Sequence, residues 1–413
     1  MLSRAPSASP LDVLPDKDTC ARLVTIYFDT VECTYHIFHG PTFWASFWAY
    51  WLEPSQQTEA LACIILLMLS CVHVANSKEL SKYRGLSNVV REEAMYWIET
   101  CDAWMARQSR KHLTIESFQV RILLAMAKQI NAVKRKQVWE RASELLTFAV
   151  STGLHQNPSK IDTTYVRDQA QDLPTKPKTT PYEREMRRRL WAVIVELELQ
   201  ASFDKGVPPS RLPLMADCGN VTLLADEQFD PSSSALPSSE LRSKYTAVSY
   251  LSLSQESLHL RIAVADLINT SIDLVAFDQL LEYDEQLKHT IERLPEWTRA
   301  KRTDASALVN SQAPAALLEL QMLQLRLLLH VPSARGMDKS SQCNLSRMTC
   351  IDTSARMMRI HQDLSQGGSH DRGVHWLSLL REDVFRAVVA FCFNLVVWQG
   401  LSGTHQNSIY IHG

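Results

Sequence analysis

Glycine is scarce in this sequence, with 12 among 413 residues, whereas about 7 % is usual in globular proteins. Enzymes that bind dinucleotides or phosphates, β-sandwiches and propellers use glycine at tight turns and strand ends. The low count therefore weighs against these classes. Together with abundant Leu, Ala, Glu, Gln and Arg, it favours a mostly helical protein.

An excess of basic charge is also missing, because 43 Lys and Arg stand against 45 Asp and Glu. DNA-binding domains usually have a pI above about 9, so the overall charge gives no indication of DNA contact. Of two local basic clusters, Lys134–Lys136 is interpreted as a polar helix end or turn, with a weak nuclear-import signal as the alternative. Arg187–Arg189 lies on a predicted helix, where consecutive side chains point about 100° apart. We therefore expect at least one of these guanidinium groups in a buried ion pair or helix contact rather than on DNA.

The nine cysteines form no C-x-x-C pair, and His36 and His39 form an H-x-x-H without accompanying carboxylates. Structural zinc needs four converging ligands, most often from such cysteine pairs. We therefore expect no metal ion and no cofactor on this chain. An odd number of cysteines, several of them in apolar stretches such as Phe391–Phe393, indicates buried free thiols in a reducing compartment.

No apolar run reaches the roughly 20 residues that a membrane-spanning helix needs. The two longest, Leu61–Ala75 and Val384–Trp398, are shorter than this and contain polar side chains such as Ser70 and Arg386. Both are predicted to be buried core helices, and no membrane partner is expected.

The motifs of nucleophilic and phosphate chemistry are missing as well, since G-x-S-x-G, Walker A and G-x-G-x-x-G do not occur. Carboxylates such as Glu282, Asp284 and Glu285 fit a solvated helix face. No catalytic residue is therefore predicted, and the protein is not expected to be an enzyme. The alternative is a helical enzyme or ligand-binding protein whose pocket is assembled from scattered residues.

The local patterns that the sequence does contain are mostly those of helices, namely helix caps, helix stops and apolar helix faces. Thr114 is a predicted N-cap, and Gly153 is a predicted left-handed helix stop. Thr180, Pro181 and Glu183 form a capping box with proline in the first turn, which opens a helix that should end at Gly206. One apolar helix face recurs at Val90, Ala94, Trp97, Ile98, Cys101, Trp104 and Met105.

The fold class predicted from these signals is all-α: a large, irregular multi-helical domain with an apolar core and an inserted Ser/Pro-rich loop. Further helices are expected near 240–268, 275–293, 313–330, 344–364 and 376–398. The predicted organisation is a disordered N-terminus (1–18), an N-terminal half (19–225), a Ser/Pro-rich linker (226–240) and a C-terminal helical half (241–413).

Several segments, taken in chain order, resemble the fungal-specific transcription-factor domain, the regulatory region of fungal zinc-cluster transcription factors. They are Tyr27–Glu32, His36–Trp44, Ser151–His155, Glu185–Ala192, Glu196–Ser202, Gly206–Pro208, Leu323–Pro332 and Cys350–Ala355. The strip Asp217–Thr222 departs from the family's pattern. The family-motif positions, which we interpret as structural, are His39, Gly40, Pro41, Thr42, Phe43, Gly153, Leu154, His155, Arg188, Arg189, Leu190, Trp191, Gly206 and Pro208.

The resemblance implies a nuclear transcription regulator and, as its target genes, those of a fungal secondary-metabolite cluster. It also implies a DNA-reading module with six cysteines and two zinc ions, whose pattern does not occur in this sequence. Zinc is therefore expected in that module and not in this chain, and DNA contact only indirectly. The expected partners are the transcription machinery and either a second copy of the chain or a full-length zinc-cluster regulator. A plain helical scaffold is a third hypothesis.

Overall fold

The computed structural model describes residues 8–76, 83–84, 87–109, 113–157, 179–269, 276–299, 311–336, 340–365 and 382–409. Helices make up most of these ranges. In chain order they are α1 (Pro10–Val13), α2 (Lys17–Tyr27), α3 (Cys33–Tyr35), α4 (Gly40–Leu52), α5 (Glu59–Asn76), α6 (Val89–Ala106), α7 (Ile115–Ile130), α8 (Val138–Ser151), α9 (Pro181–Lys205), α10 (Ser249–Ile268), α11 (Phe277–Glu292), α12 (Gln312–Ala334), α13 (Ser341–Ser365) and α14 (Asp383–Ile409).

Short turns complete the described structure. Phe28–Glu32 is a π-helical turn between α2 and α3, and Tyr83–Arg84 pairs antiparallel with Ser87–Asn88 as two short strands, β1 and β2. Single 3₁₀ turns lie at Pro54–Gln56, Arg135–Gln137, Leu212–Met215, Asp226–Gln228 and Glu296–Arg299. The predicted all-α class is confirmed.

Three apolar clusters follow one another through the molecule. The largest surrounds α5, whose residues 62–72 are all buried, with α2, α6 and α7 packed directly against it. The second joins the end of α9 to α10, α11 and α12. The third joins α12 to α13 and α14. The long helix α9 contributes to two of these clusters and α12 to all three, so these two helices connect the parts of the fold.

The predicted helix ends are confirmed. Thr114 and Thr180 cap α7 and α9, and the reciprocal bonds of the capping box at Thr180 come from Glu183. Gly153 and Gly206 have φ of 72° and 74°, the left-handed region that glycine adopts without a Cβ penalty. The apolar face predicted for 90–105 is buried on α6 in full.

Two predicted boundaries need correction. Residues 8–18 are not disordered, because α1 packs on α5 and α6 and the Ser9 hydroxyl lies 2.9 Å from a Glu59 carboxylate oxygen. Residues 1–7 lie outside the described residues. The helix expected from residue 240 begins only at Ser249, after turns in which Thr246 bonds the Ser249 hydroxyl.

The prediction of a buried helix at Val384–Trp398 is wrong in its burial, although the helix, α14, is present. Ala387 and Asn394 pack inwards, but the opposite face is exposed, and Cys392 is exposed with it. The reason is that α14 packs on α13 and α12 along one side only. Leu61–Ala75, by contrast, forms the buried helix α5 as predicted. Within the described part of the chain, no helix combines the length and apolarity needed to cross a membrane.

The division of the chain at a Ser/Pro-rich linker stays a prediction. Its first residue, Asp226, is buried, whereas most of the side chains from 230 to 240 are exposed. The Asp230 carboxylate accepts from the Ser232 N–H at 2.7 Å and forms a local turn there.

Candidate functional site

The loop between α3 and α4 is turned inwards by its backbone. After the π-helical turn and α3, His36 adopts the left-handed region with φ of 39°, which is uncommon for a residue with a Cβ. The chain then reaches His39, the N-cap of α4, whose Nδ1 accepts the Thr42 N–H at 3.3 Å. Both imidazoles are thereby buried.

Both histidines contact Asp226. His36 Nε2 lies 3.1 Å from Asp226 Oδ1, and His39 Nε2 lies 2.7 Å from the Asp226 carbonyl oxygen. Because a carbonyl oxygen only accepts, we assign the His39 proton to Nε2, which leaves Nδ1 as an acceptor. The Gly40 N–H donates to Asp226 Oδ2 at 2.7 Å, so this carboxylate lies at the N-terminus of α4, where the helix dipole stabilises an anion.

Helix α9 supplies the opposite charge. Arg189 is fully buried, and its Nη1 donates to Asp226 Oδ1 at 2.8 Å. Its Nε lies 3.6 Å from Glu185 one turn earlier, which is also fully buried. The Glu185 carboxylate in turn accepts the Thr222 N–H at 3.0 Å and the Thr222 hydroxyl at 2.8 Å. The predicted buried ion pair in Arg187–Arg189 is therefore confirmed.

We refer to this set as the Asp226 cluster; its members are His36, His39, Gly40, Glu185, Arg189 and Asp226. Burial acts to raise the pKa of Asp226, but His36, Arg189 and the Gly40 N–H outweigh burial and lower this pKa well below its ordinary value. Arg189, the contact with His36 and the N-terminus of α4 thus hold the carboxylate in its charged form.

Glu32, at the end of the π-helical turn, behaves in the opposite way. Burial and, to a smaller extent, the nearby Asp226 carboxylate together raise the pKa of Glu32 to about 8, although the Phe38 N–H bonded at 2.6 Å opposes them. Glu32 is therefore mostly protonated at neutral pH, while Asp226 is charged. The two carboxyl groups differ because Asp226 has Arg189 and the Gly40 N–H as direct partners.

The other two arginines of α9 hold different segments. Arg188 Nε donates to the Cys218 carbonyl at 3.1 Å, and Arg187 Nη2 donates to the Gly153 carbonyl at 3.0 Å. The His155 carbonyl accepts the Cys218 N–H at 3.1 Å. The strip around Cys218, which departs from the family's pattern, is therefore bonded to both the end of α8 and α9.

The structure brings three of the predicted motif positions, His39, Gly40 and Arg189, to one point. Two of the others have structural roles elsewhere, since Phe43 lies in an aromatic cluster and Gly206 ends α9. Pro208 is exposed just after that helix. Arg188 is partly buried on α9, and the remaining motif positions lie in helix first turns, helix ends or the core; they are Pro41, Thr42, Gly153, Leu154, His155, Leu190 and Trp191.

Asp226 is missed as a site residue by reasoning from the sequence, which places it at the start of a linker. No local signal marks it, because its partners lie 37 to 190 residues away. Glu185 could have been found, since it precedes Arg189 by four residues on a predicted helix, the spacing of an ion pair.

A second buried polar cluster joins α9, α10 and α12. Arg261 donates to both oxygens of Glu196, at 2.9 and 2.5 Å, and to the Ser254 carbonyl at 2.8 Å. Gln321 donates to Glu196 Oε2 at 2.7 Å. This pair is also missed by sequence reasoning, since Arg261 follows Glu196 by 65 residues.

The chemistry of the Asp226 cluster is structural. Asp226 accepts from Gly40 and Arg189 and contacts His36, and His39 Nε2 faces two carbonyl oxygens, so these groups bind one another and the backbone. A groove of about 1000 Å³ lies elsewhere, between α6, α7 and α8, and none of the motif positions lines it. Among the described residues, no group of three or more His, Cys, Asp or Glu could hold a metal ion.

The pH dependence of stability tests the protonated state of Glu32. Between its ordinary pKa of 4.5 and about 8, the folded protein retains a proton that the unfolded chain releases. The contribution of Glu32 to the free energy of unfolding therefore falls as the pH rises from 4.5 to about 8. Glu32→Gln keeps a neutral side chain, so we expect its free energy of unfolding, relative to the natural protein, to increase from pH 5 to pH 8. Urea unfolding across that range measures this.

The matched control is Glu53→Gln, which changes an exposed carboxylate at the C-terminal end of α4. We expect its unfolding free energy to follow that of the natural protein at every pH. If the Glu32→Gln curve is also parallel to that of the natural protein, Glu32 is not held protonated by its burial.

The sequence matches the family model of the fungal specific transcription factor domain over residues 24–307, a segment that contains the whole Asp226 cluster. It is 26 % identical to transcription factor opdR of Penicillium oxalicum over 409 residues, which cover 95 % of this chain and 47 % of that protein. No solved structure matches the chain.

The names of two further relatives state the type of transcription factor or the gene cluster to which it belongs. The chain is 23 % identical to the Zn(2)-C6 fungal-type transcription factor mpsB of Macrophomina phaseolina over 398 residues, which cover 94 % of this chain and 51 % of that protein. It is 23 % identical to the fusarisetin A cluster transcription factor fsa6 of a Fusarium species over 251 residues, 58 % of this chain and 31 % of that protein. The chain thus spans about half the length of opdR and mpsB, and less of fsa6.

Proposed function

Since the chain belongs to the family of the fungal specific transcription factor domain, we propose that it is the effector region of a nuclear transcription regulator that controls a fungal secondary-metabolite gene cluster. The observation that carries this proposal is the family match over residues 24–307. The name of fsa6, a cluster transcription factor, supports the cluster-associated role. On this proposal the protein is not an enzyme.

The contacts of its arginines support an indirect relation to DNA. Arg189 is buried on Asp226, and Arg187 and Arg188 donate to backbone carbonyls of neighbouring segments. These three guanidinium groups are therefore engaged in the fold and are not presented to a phosphate backbone. The cluster Lys134–Lys136 is exposed between α7 and α8, where it is accessible to an import receptor.

On this proposal, zinc is bound only by a separate DNA-reading module. The described residues do not fit a zinc cluster, because seven of the nine cysteines are buried as free thiols and no three ligands converge among these residues. We propose that a zinc-cluster module, on this or another polypeptide, makes the DNA contact. The partners would then be the transcription machinery and a full-length zinc-cluster regulator.

The test is to fuse the chain to a heterologous DNA-binding domain whose operator controls a reporter gene. An effector region changes reporter transcription several-fold, whereas the DNA-binding domain alone does not. In parallel, deletion of the gene should change the transcripts of one set of neighbouring biosynthetic genes together. A fusion that occupies the operator without changing transcription, combined with unchanged transcripts after deletion, would contradict the proposal.

A gel shift tests the indirect relation to DNA separately. We expect the purified chain to show no specific band on promoter DNA at micromolar concentration, since typical specific complexes form at about 10⁻⁸ M or below. Specific binding by the chain alone at submicromolar concentration would contradict this part and leave the effector role untouched.

A further inference from the structure

Helix α14 carries an exposed apolar stripe that the proposed function does not use. Isolated exposed apolar side chains are normal, but contiguous ones mark an interaction surface. The large members of the stripe are Phe385, Val388, Val389, Phe393 and Val396, which are 70, 42, 51, 44 and 68 % exposed, and Cys392 is exposed among them.

These positions form one face of the helix. They follow the spacing of three to four residues that places side chains on one side of an α-helix over three turns. The opposite side is in use, because Asp383, Ala387 and Asn394 are buried. Arg386 points away from the stripe and donates to the Asp204 carbonyl. The stripe itself contains no charged residue.

The order of side chains along the stripe is complementary to itself. When two copies of the helix are laid side by side in opposite directions, Phe385 of one faces Val396 of the other. By the same symmetry Val388 faces Phe393, and Val389 faces Cys392. Every Phe thus meets a Val, and the two smaller residues meet near the twofold axis, so that large and small side chains alternate as in a packed core.

We propose that α14 pairs antiparallel with α14 of a second copy of this chain. The five large side chains expose on the order of 500 Å² per copy, so the pair buries about 1,000 Å², close to the minimum for a specific interface. The absence of charge on the stripe also favours a copy of itself over a charged partner. This inference does not depend on the proposed function.

The mass of the purified full chain in solution tests the pairing. We expect light scattering after size exclusion to give twice the chain mass of 46.9 kDa at micromolar concentration. Val389→Glu places two carboxylates near the twofold axis and should raise the dissociation constant by at least about tenfold. The matched control is Leu241→Glu, at a site 75 % exposed on a loop, which should leave the mass unchanged.

A charge exchange tests the antiparallel register. Because position 389 faces position 392 of the other copy, a mixture of Val389→Glu and Cys392→Lys chains should form a heterodimer, although each variant alone dimerises weakly. Circular dichroism should show native helix content for both, since both side chains are exposed. A mass of 46.9 kDa for the natural chain, which would result if another partner covers the stripe, would overturn the proposal; so would a dimer that Val389→Glu does not weaken.

Discussion

Replacing Asp226 with alanine is expected to lower the free energy of unfolding by about 3–5 kcal/mol, the usual cost of breaking a buried ion pair from one side. The variant leaves the fully buried Arg189 guanidinium with Glu185 at 3.6 Å as its remaining acidic neighbour. It also removes the acceptor for the Gly40 N–H and the contact to His36. Urea unfolding followed by far-UV circular dichroism measures the loss.

Two comparisons make this result specific. Asp230→Ala removes an exposed carboxylate four residues later that bonds only its own turn, so we expect a much smaller loss than for Asp226→Ala. Combining Asp226→Ala with Arg189→Met removes the unpaired charge, and the double variant should be more stable than Asp226→Ala alone. If Asp226→Ala costs no more than Asp230→Ala, the Asp226 cluster does not hold the motif segments together.

The Asp226 cluster explains physically why His39, Gly40 and Arg189 occur at three of the family-motif positions. His39 and Gly40 open α4, Arg189 lies in the first half of α9, and the carboxylate that joins them comes from a segment after α9. A change of His39, Arg189 or Asp226 to an apolar residue leaves a buried charge or polar group without its partner, which costs more than the pair contributes. The motif therefore maintains the arrangement of helices.

Local features of the fold could be predicted from the sequence because their causes are local. Thr180 with Glu183, and Gly153 with its left-handed backbone, act within a few residues of themselves. Asp226 could not be identified in this way, since its role depends on which helices meet in space. The sequence pattern places helix α14 in the core because most of its residues from 384 to 398 are apolar, and composition does not show which side of the helix a neighbour covers.

Arg261→Met is the second change with a large expected effect, again about 3–5 kcal/mol of unfolding free energy. Methionine fills a similar length of space without charge, so the loss isolates the ion pair from packing. The Glu196 carboxylate would remain buried with Gln321 as its hydrogen-bond donor, and the Ser254 carbonyl would lose its bond to the guanidinium. Because this pair joins α9, α10 and α12, we expect the loss in one cooperative urea transition.

The matched control for Arg261→Met is Arg211→Met, which removes an arginine that is 73 % exposed and donates to Asp266 at 3.0 Å. Both changes break one Arg–carboxylate pair, but water solvates the partner left at the surface, so Arg211→Met should cost about 0–1 kcal/mol. Adding Glu196→Gln to Arg261→Met removes the stranded charge and should recover part of the loss. Equal losses for the Arg261 and Arg211 variants would show that burial does not decide the contribution of these pairs, and the same conclusion would then apply to Arg189 and Asp226.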